Sequence, residues 1–452
     1  MVSLWFGSAL LDAGWTDGVR FAVADGRIAR IESGVAPTPE DERHAVGLPG
    51  VPNVHSHAFQ RAMAGLTESA GPGADSFWAW RALMYRFVER LSPEDLEAIS
   101  AFAFAEMLEA GFTRVGEFHY LHHDRDGTPY GNWGELAARI AAAARESGIG
   151  LTLLPVFYAH GNFGGLPPNP SQRRFINDID GFARLLEASR RAVRDLDAAR
   201  VGVAPHSLRA VTAAQLTALV ALAPTAPLHL HIAEQIKEVS DCIAWCGRRP
   251  VDWLLDHQPV DSRWCLVHAT HVDHEETHRL AASGAVAGLC PITEANLGDG
   301  IFPALEYLDA GGACAVGSDS NVLVSAAEEL RVLEYGQRLV HRRRNVLARS
   351  AELSTGRRLF EGVVAGGTQA LGGDWRGLAV GADADIVSLD LEHDVLQYRR
   401  GDALLDSWIF AGRDRMVDCV WRYGRKVVSG GQHIRRDAIS ARYRSTLQRL
   451  LA

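Results

Sequence analysis

Paired cysteines, basic blocks and long apolar runs are what this chain lacks. Six cysteines stand in 452 residues. Only Cys242 and Cys246 are close, at C-x3-C spacing, and no second pair completes a metal site or a disulfide framework. They read as ordinary helix residues, and the composition suits a reducing cytoplasm. No stretch reaches the roughly 18 uninterrupted apolar residues of a membrane span. The opening "MVSLWFGSALLDAGW" has neither the basic nor the long apolar segment of a secretory leader, so neither a membrane nor export is expected. The formal charge is −9, and the densest basic stretch, "HRRRN" at 341–345, reads as a solvated helix end. Nucleic acid is therefore not an expected partner.

What is present is enough apolar sequence, 47% of residues, to build a sizeable core. Its texture changes along the chain. "VRFAVADGRIARIES" is two alternating runs around Asp25-Gly26, a hairpin signal. Similar texture returns in "LAVGADADIVSLDL" (378–391) and "DCVWRYGRKVVSGG" (418–431). The two ends, 1–48 and 371–452, are expected to pair into one small β-sandwich domain, with a terminal helix. Between them, over 49–370, eight apolar strand-like runs alternate with Ala/Leu-rich helical stretches. The runs are 50–57, 113–119, 149–157, 200–207, 227–234, 264–271, 285–291 and 313–320. One helical stretch, 92–111, opens on Ser92-Pro93-Glu94, a cap and first turn, and ends at Gly111. Near-continuous apolar strands alternating with helices mean a buried parallel sheet, and eight of them point to a (β/α)8 TIM-like barrel.

In such a barrel chemistry sits where strands end. The runs end in His55 and His57, Glu117 and His119, His206, His231 and Glu234, His268, and Asp319. His55 and His57, two apart on a strand, point to one side, which at the mouth is the interior. Alone, such a pair is more often two hydrogen-bonded histidines than a metal site. With His231 and Asp319 it becomes three nitrogens and a carboxylate, a set suited to Zn2+ and open to Fe2+ or Mn2+. Glu234, at the strand-to-helix turn, is placed to shuttle a proton, unless it merely answers a helix dipole. His268 is placed to polarise the reacting centre, and Asp319 to share the proton transfer. His271 reads as structural or outer support.

At this point "VHSHAFQR", "HIAEQ", "LVHATH" and "GSDSN", in that order, resemble the amidohydrolase superfamily, over nearly the whole chain. The branch resembled uses one metal and deaminates; it has no carboxylated lysine on strand four, and "GVAPHSLRA" offers none. "NVHSHAFQRAMAGLTE", "SFWAWRALMYRF", "GEFHYLHHD" and "PHSLRAV" are similar, more narrowly, to the N-formimino-L-glutamate deiminases of histidine catabolism. The resemblance implies a cytoplasmic homodimer that hydrolyses N-formimino-L-glutamate to N-formyl-L-glutamate and ammonia. It also implies that Gln60, Arg81, Tyr120, His206 and Arg209 hold the substrate. Two arginines suit a dicarboxylate through paired N–H donors, and Tyr120, His206 and Gln60 add neutral ones. A deaminase or chlorohydrolase of a heterocycle is the alternative; it would want aromatic walls and amide contacts, and Trp78 and Trp80 read better as packing around the helix of Arg81. His119, His122 and His123 are expected to orient a loop rather than form a second metal site. The Gly/Pro-rich stretch 161–170 reads equally as a lid or as a passive loop.

Overall fold

Strands apolar on both faces must be covered on both, and the middle of the chain folds accordingly. In a computed structural model, residues 2–68, 77–348, 354–373, 377–413 and 416–452 are described, 77–79 by backbone alone; the side chain of Trp78 thus lies outside them. The eight runs become the strands Val51–Ser56, Phe112–His119, Gly150–Phe157, a fourth in two pieces (Arg200–Val201 and Ala204–Pro205), Leu228–Ile232, Trp264–His268, Val286–Leu289 and Ala313–Val316. Successive strands pair in parallel. Between the two pieces the Gly202 amide donates to Leu153 and the Val203 amide to Pro227, each at 2.9 Å, the alternation of a strand with a neighbour on each side. Bridges from Val203 to Leu228 and Ser207 to His231 carry the barrel on to the fifth strand.

Closure between first and eighth strands is made by candidate site residues themselves. The His57 amide donates to the Asp319 carbonyl and the Asp319 amide to the His55 carbonyl, each at 2.9 Å. The approach is close enough that a Cβ on Gly317 would stand 2.8 Å from His55 backbone atoms. Gly317→Ala should therefore cost on the order of 1–3 kcal/mol by overpacking and lower the midpoint of thermal unfolding. An unchanged midpoint would mean the closure gives way freely.

Helix Pro93–Glu109 shows the local logic of the covering layer. The Ser92 hydroxyl accepts from the Asp95 amide at 3.2 Å, and the Asp95 carboxylate accepts from the Ser92 amide at 3.0 Å, a reciprocal cap that satisfies two otherwise orphaned donors. Inside the barrel, Val54, Val267, Val286, Ala315 and Leu371 form a dry floor below the mouth. Helix Ala326–His341 ends in the exposed 341–345 stretch, as its charge suggests.

The two ends meet as expected, and their strands are hydrogen-bonded in one path of eight. Its order runs Gln432–His433, Arg425–Ser429, Val417–Arg422, Ile386–Leu389, Glu42–Pro49, Val2–Leu11, Gly14–Ala24, Arg27–Glu32. Phe6 and Trp421 lie three strands apart, roughly 14 Å on a flat sheet, yet their ring centroids are 5.9 Å apart. The path therefore curls around its own core of Leu4, Phe6, Phe21, Ile386 and Trp421. Asp25 and Gly26 form the hairpin turn, both at positive φ, and a Cβ at Gly26 would strike the Tyr423 ring. All six cysteines are free thiols, with the sulfurs of Cys242 and Cys246 4.0 Å apart on helix Ile236–Cys246. Among the described residues no helix is long and apolar enough to cross a membrane.

Candidate active site

Strand C-termini bring His55, His57, His231, His268 and Asp319 together in the barrel mouth, all buried. One carboxylate oxygen of Asp319 lies 3.3 Å from the Nε2 of both His55 and His57, and the Nε2 atoms of His55 and His231 are 3.0 Å apart. Ligand-capable atoms of His55, His231, His268 and Asp319 all fall within 4.8 Å of one another; His57 joins them through Asp319. The Nδ1 of His57 faces the Phe118 carbonyl at 2.9 Å and that of His231 faces the His206 carbonyl at 3.0 Å. A carbonyl only accepts, so both Nδ1 atoms carry the proton and both Nε2 atoms present lone pairs to the centre. Lone pairs converging on a buried carboxylate repel unless a cation lies among them. The donor set thus fits a divalent metal, with backbone carbonyls fixing the ring orientations.

Burial holds the His55 imidazole down at about 3 and depresses His57 and His231 as well, keeping all three in the neutral, ligating form. Burial pushes the Asp319 carboxyl up, but the adjacent His55, His268 and His57 outweigh it and hold the group ionised. Ala233, His268, Ala269 and Asp319 all sit at positive φ. Left-handed backbone on non-glycine residues costs about 1 kcal/mol or more each, and here it clusters at strand ends that aim side chains inward.

Glu234 and His268 complete the reactive centre. The Nε2 of His268 is 3.9 Å from Glu234 and 3.8 Å from Asp319, and its Nδ1 is 3.2 Å from Glu294. Burial alone would lower its pKa, but Glu234, Glu294 and Asp319 raise it to about 10. Burial pushes the Glu234 carboxyl up to about 7, with His268 and Arg209 pulling back. Glu294, which also accepts from the Cys290 amide at 2.8 Å, was not evident from sequence. It lies in helix Pro291–Leu297, just beyond the run that ends at Pro291, and its spacing gives no sign that it turns back to His268.

The five residues expected to hold substrate line the same cavity as Glu234, His268 and Asp319. Gln60, in the short helix after the first strand, donates to the Tyr120 hydroxyl at 3.0 Å. His206 stands against His231 and Tyr158, ring centroids 4.9 and 4.5 Å away. Arg209 pairs with the buried Glu238 at 3.7 Å, and Arg81 reaches in from helix Phe77–Val88. Trp80 both lines this cavity and packs on the main core. Tyr85, Tyr158 and Glu238 join them without a sequence motif to mark them. Tyr158 stands directly past the third strand's end, where the rule that found the histidines also reaches.

His122 and His123 tie loops together, through the carbonyls of Val156 at 2.8 Å and Ile176 at 2.9 Å. Among the described residues no metal-competent group forms around them and His119. Glu117 anchors the reactive strand end instead, accepting from the Ala58 amide at 2.8 Å. Burial pushes its carboxyl up from 4.5 to about 8. The folded state therefore keeps a proton that the unfolded chain releases earlier, and stability falls as pH rises between those two values. Glu117→Gln, which cannot ionise, should flatten that fall by on the order of 2 kcal/mol. Denaturant midpoints of both proteins at pH 5 and pH 8 measure it; parallel pH dependences would remove Glu117 as the source.

Comparison with known proteins places these features in a family. Residues 46–427 match the amidohydrolase family, and residues 1–45 match the N-terminal domain described as formimidoylglutamate deiminase HutF. The chain is 51% identical to a formimidoylglutamate deiminase of Pseudomonas aeruginosa over 100% of both sequences. It is 30% identical to an 8-oxoguanine deaminase of the same species, over 95% of this chain and 94% of that one. Among solved structures, an amidohydrolase from Brucella melitensis aligns over 100% of both chains with 56% identity and a TM-score of 0.97. The chain belongs to the amidohydrolase family, with a formimidoylglutamate deiminase N-terminal domain at its start.

Proposed function

We propose that the chain is a metal-dependent iminohydrolase of histidine degradation, converting N-formimino-L-glutamate and water to N-formyl-L-glutamate and ammonia. One observation carries the substrate reading: two guanidinium groups, Arg81 and Arg209, share a cavity with the reactive centre. N-formimino-L-glutamate offers two carboxylates and one amidine carbon, which match two cationic anchors and one hydrolytic centre. The full-length likeness to a deiminase supports it.

His55, His57, His231 and Asp319 would hold the metal, and zinc fits the three-nitrogen, one-oxygen set. When bound, such an ion supplies a water acidic enough to be hydroxide near neutral pH. Asp319 and Glu234 take up the proton as the oxygen adds to the formimino carbon. Glu234, with a carboxyl near 7, exchanges protons readily at neutral pH. His268, held between Glu234, Glu294 and Asp319, stabilises charge at the tetrahedral carbon. Glu234 then delivers the proton to the departing nitrogen, Asp319 takes the remaining proton of the added oxygen as the carbonyl closes, the C–N bond breaks and ammonia leaves. A protonated amidine is already electrophilic, which lightens the demand on the centre.

The reading extends to a cytoplasmic homodimer. The unpaired cysteines support the compartment, and native sizing checks the assembly. Proton NMR of the reaction tests the chemistry. A formyl resonance should grow as the formimino resonance falls, with one ammonia per turnover. Zinc-loaded protein that leaves the formimino resonance unchanged would refute the reading.

A further inference from the structure

The cavity wall around Arg81 holds two hydroxyls whose acceptor capacity is spent and whose protons are not. Arg81 donates from Nε to the Tyr85 hydroxyl at 2.6 Å and from Nη2 to the Tyr158 hydroxyl at 2.8 Å. The Gln172 amide donates to the same two oxygens, at 3.3 Å for Tyr85 and 2.7 Å for Tyr158. Each phenol oxygen has two lone pairs and one proton. Both lone pairs of each are thus occupied by donors. No acceptor among the described residues takes either proton, and both tyrosines line the cavity. Tyr158 is 2% exposed and Tyr85 8%, and the cavity is the open space that both line. A buried O–H without an acceptor is costly, and any group with a lone pair facing the cavity can take it. Among the groups a substrate presents, a carboxylate brings acceptors for both protons at once and is attracted by the adjacent guanidinium.

We infer that Tyr85 and Tyr158, with Arg81, form a three-donor cradle for one carboxylate of the substrate, and that Gln172 is the positioning residue that turns both hydroxyl protons toward it. This rests on, and deepens, the dicarboxylate reading above. Gln172 is 1% exposed and sits in the short helix Pro170–Gln172, capped by Asn169, whose amide donates to the Gln172 side-chain oxygen at 2.8 Å. With its oxygen so engaged, the amide has its NH2 fixed toward the tyrosines. The Gly/Pro-rich loop after the third strand is therefore part of the binding site, and it acts by setting hydroxyl direction from behind the cavity wall. Burial, with the field of Tyr158, pushes the Tyr85 hydroxyl above its ordinary range, so it stays a donor at neutral pH.

The test uses the zinc-loaded full chain and two readouts. Calorimetry with glutarate, a dicarboxylate with no formimino group, reads the cradle alone. Tyr85→Phe and Tyr158→Phe should each weaken glutarate by about tenfold, the worth of one hydrogen bond to a charged group, with the chain still folded at the assay temperature and zinc content unchanged. Gln172→Leu should weaken it comparably while the tyrosines stay in place. Turnover of N-formimino-L-glutamate should show the same rises in KM with kcat kept within about threefold, the sign of lost uniform binding. Glutarate affinities within twofold of the unaltered chain for both tyrosine variants would overturn the cradle, as would a failure of the unaltered chain to bind glutarate. Loss of kcat with unchanged KM would overturn it too. If the unaltered chain binds glutarate through these groups but does not turn over N-formimino-L-glutamate, the cradle stands and the substrate assignment falls.

Discussion

Glu234→Gln is expected to lower kcat by about 10² to 10⁴-fold, the range for removing a positioned general acid–base, while zinc content and fold are preserved. The reasoning is local. Glu234 is 5% exposed, faces the cavity, and touches the metal set only through His268 and the field of Asp319. Glutamine keeps its shape and volume but neither accepts nor delivers a proton at neutral pH. It also removes a buried carboxyl whose ionisation burial opposes, so stability should hold or rise slightly. KM should change little, since the carboxylate anchors lie elsewhere. Retention of more than about a tenth of wild-type kcat would take Glu234 out of proton transfer.

Arg81→Gln and Arg209→Gln are each expected to cut kcat/KM for N-formimino-L-glutamate by about 10² to 10³-fold, mostly through KM, because truncating one partner of a buried charge pair costs roughly 2–5 kcal/mol. Part of the Arg209 effect belongs to Glu238, which is fully buried and loses an ion-pair partner 3.7 Å away. Pairing Arg209→Gln with Glu238→Gln separates the two. If substrate contact dominates, the double change stays as weak in KM while regaining stability. Lysine should rescue neither arginine well, since it cannot reproduce a fork of N–H donors. Steady-state kinetics with a dicarboxylate substrate decide it, and an unchanged KM in both variants would mean the carboxylates bind elsewhere.

Legibility from sequence followed the range of the forces involved. His55, His57, His231, His268 and Asp319 were legible because each ends an apolar run, and a barrel converts "end of run" into "mouth of barrel". The Asp25-Gly26 hairpin and the Ser92 cap were legible because their hydrogen bonds close within four residues. Glu294 was not, since its value lies in a return contact to His268 across 26 residues. Gln172 was hidden for the same reason: its loop reads as Gly and Pro punctuation, and only the packed fold brings its amide against Tyr85 and Tyr158.

The central claim is that a hydrolytic metal centre and two cationic anchors in one cavity specify an acyclic dicarboxylate amidine. Ammonia release from N-formimino-L-glutamate by zinc-loaded enzyme, beside 8-oxoguanine, guanine, cytosine and adenosine, tests it most directly. The account predicts rapid release from N-formimino-L-glutamate and none from the four ring compounds. Release from a ring and none from N-formimino-L-glutamate would contradict it, and would leave Arg81 and Arg209 as anchors for something other than carboxylates.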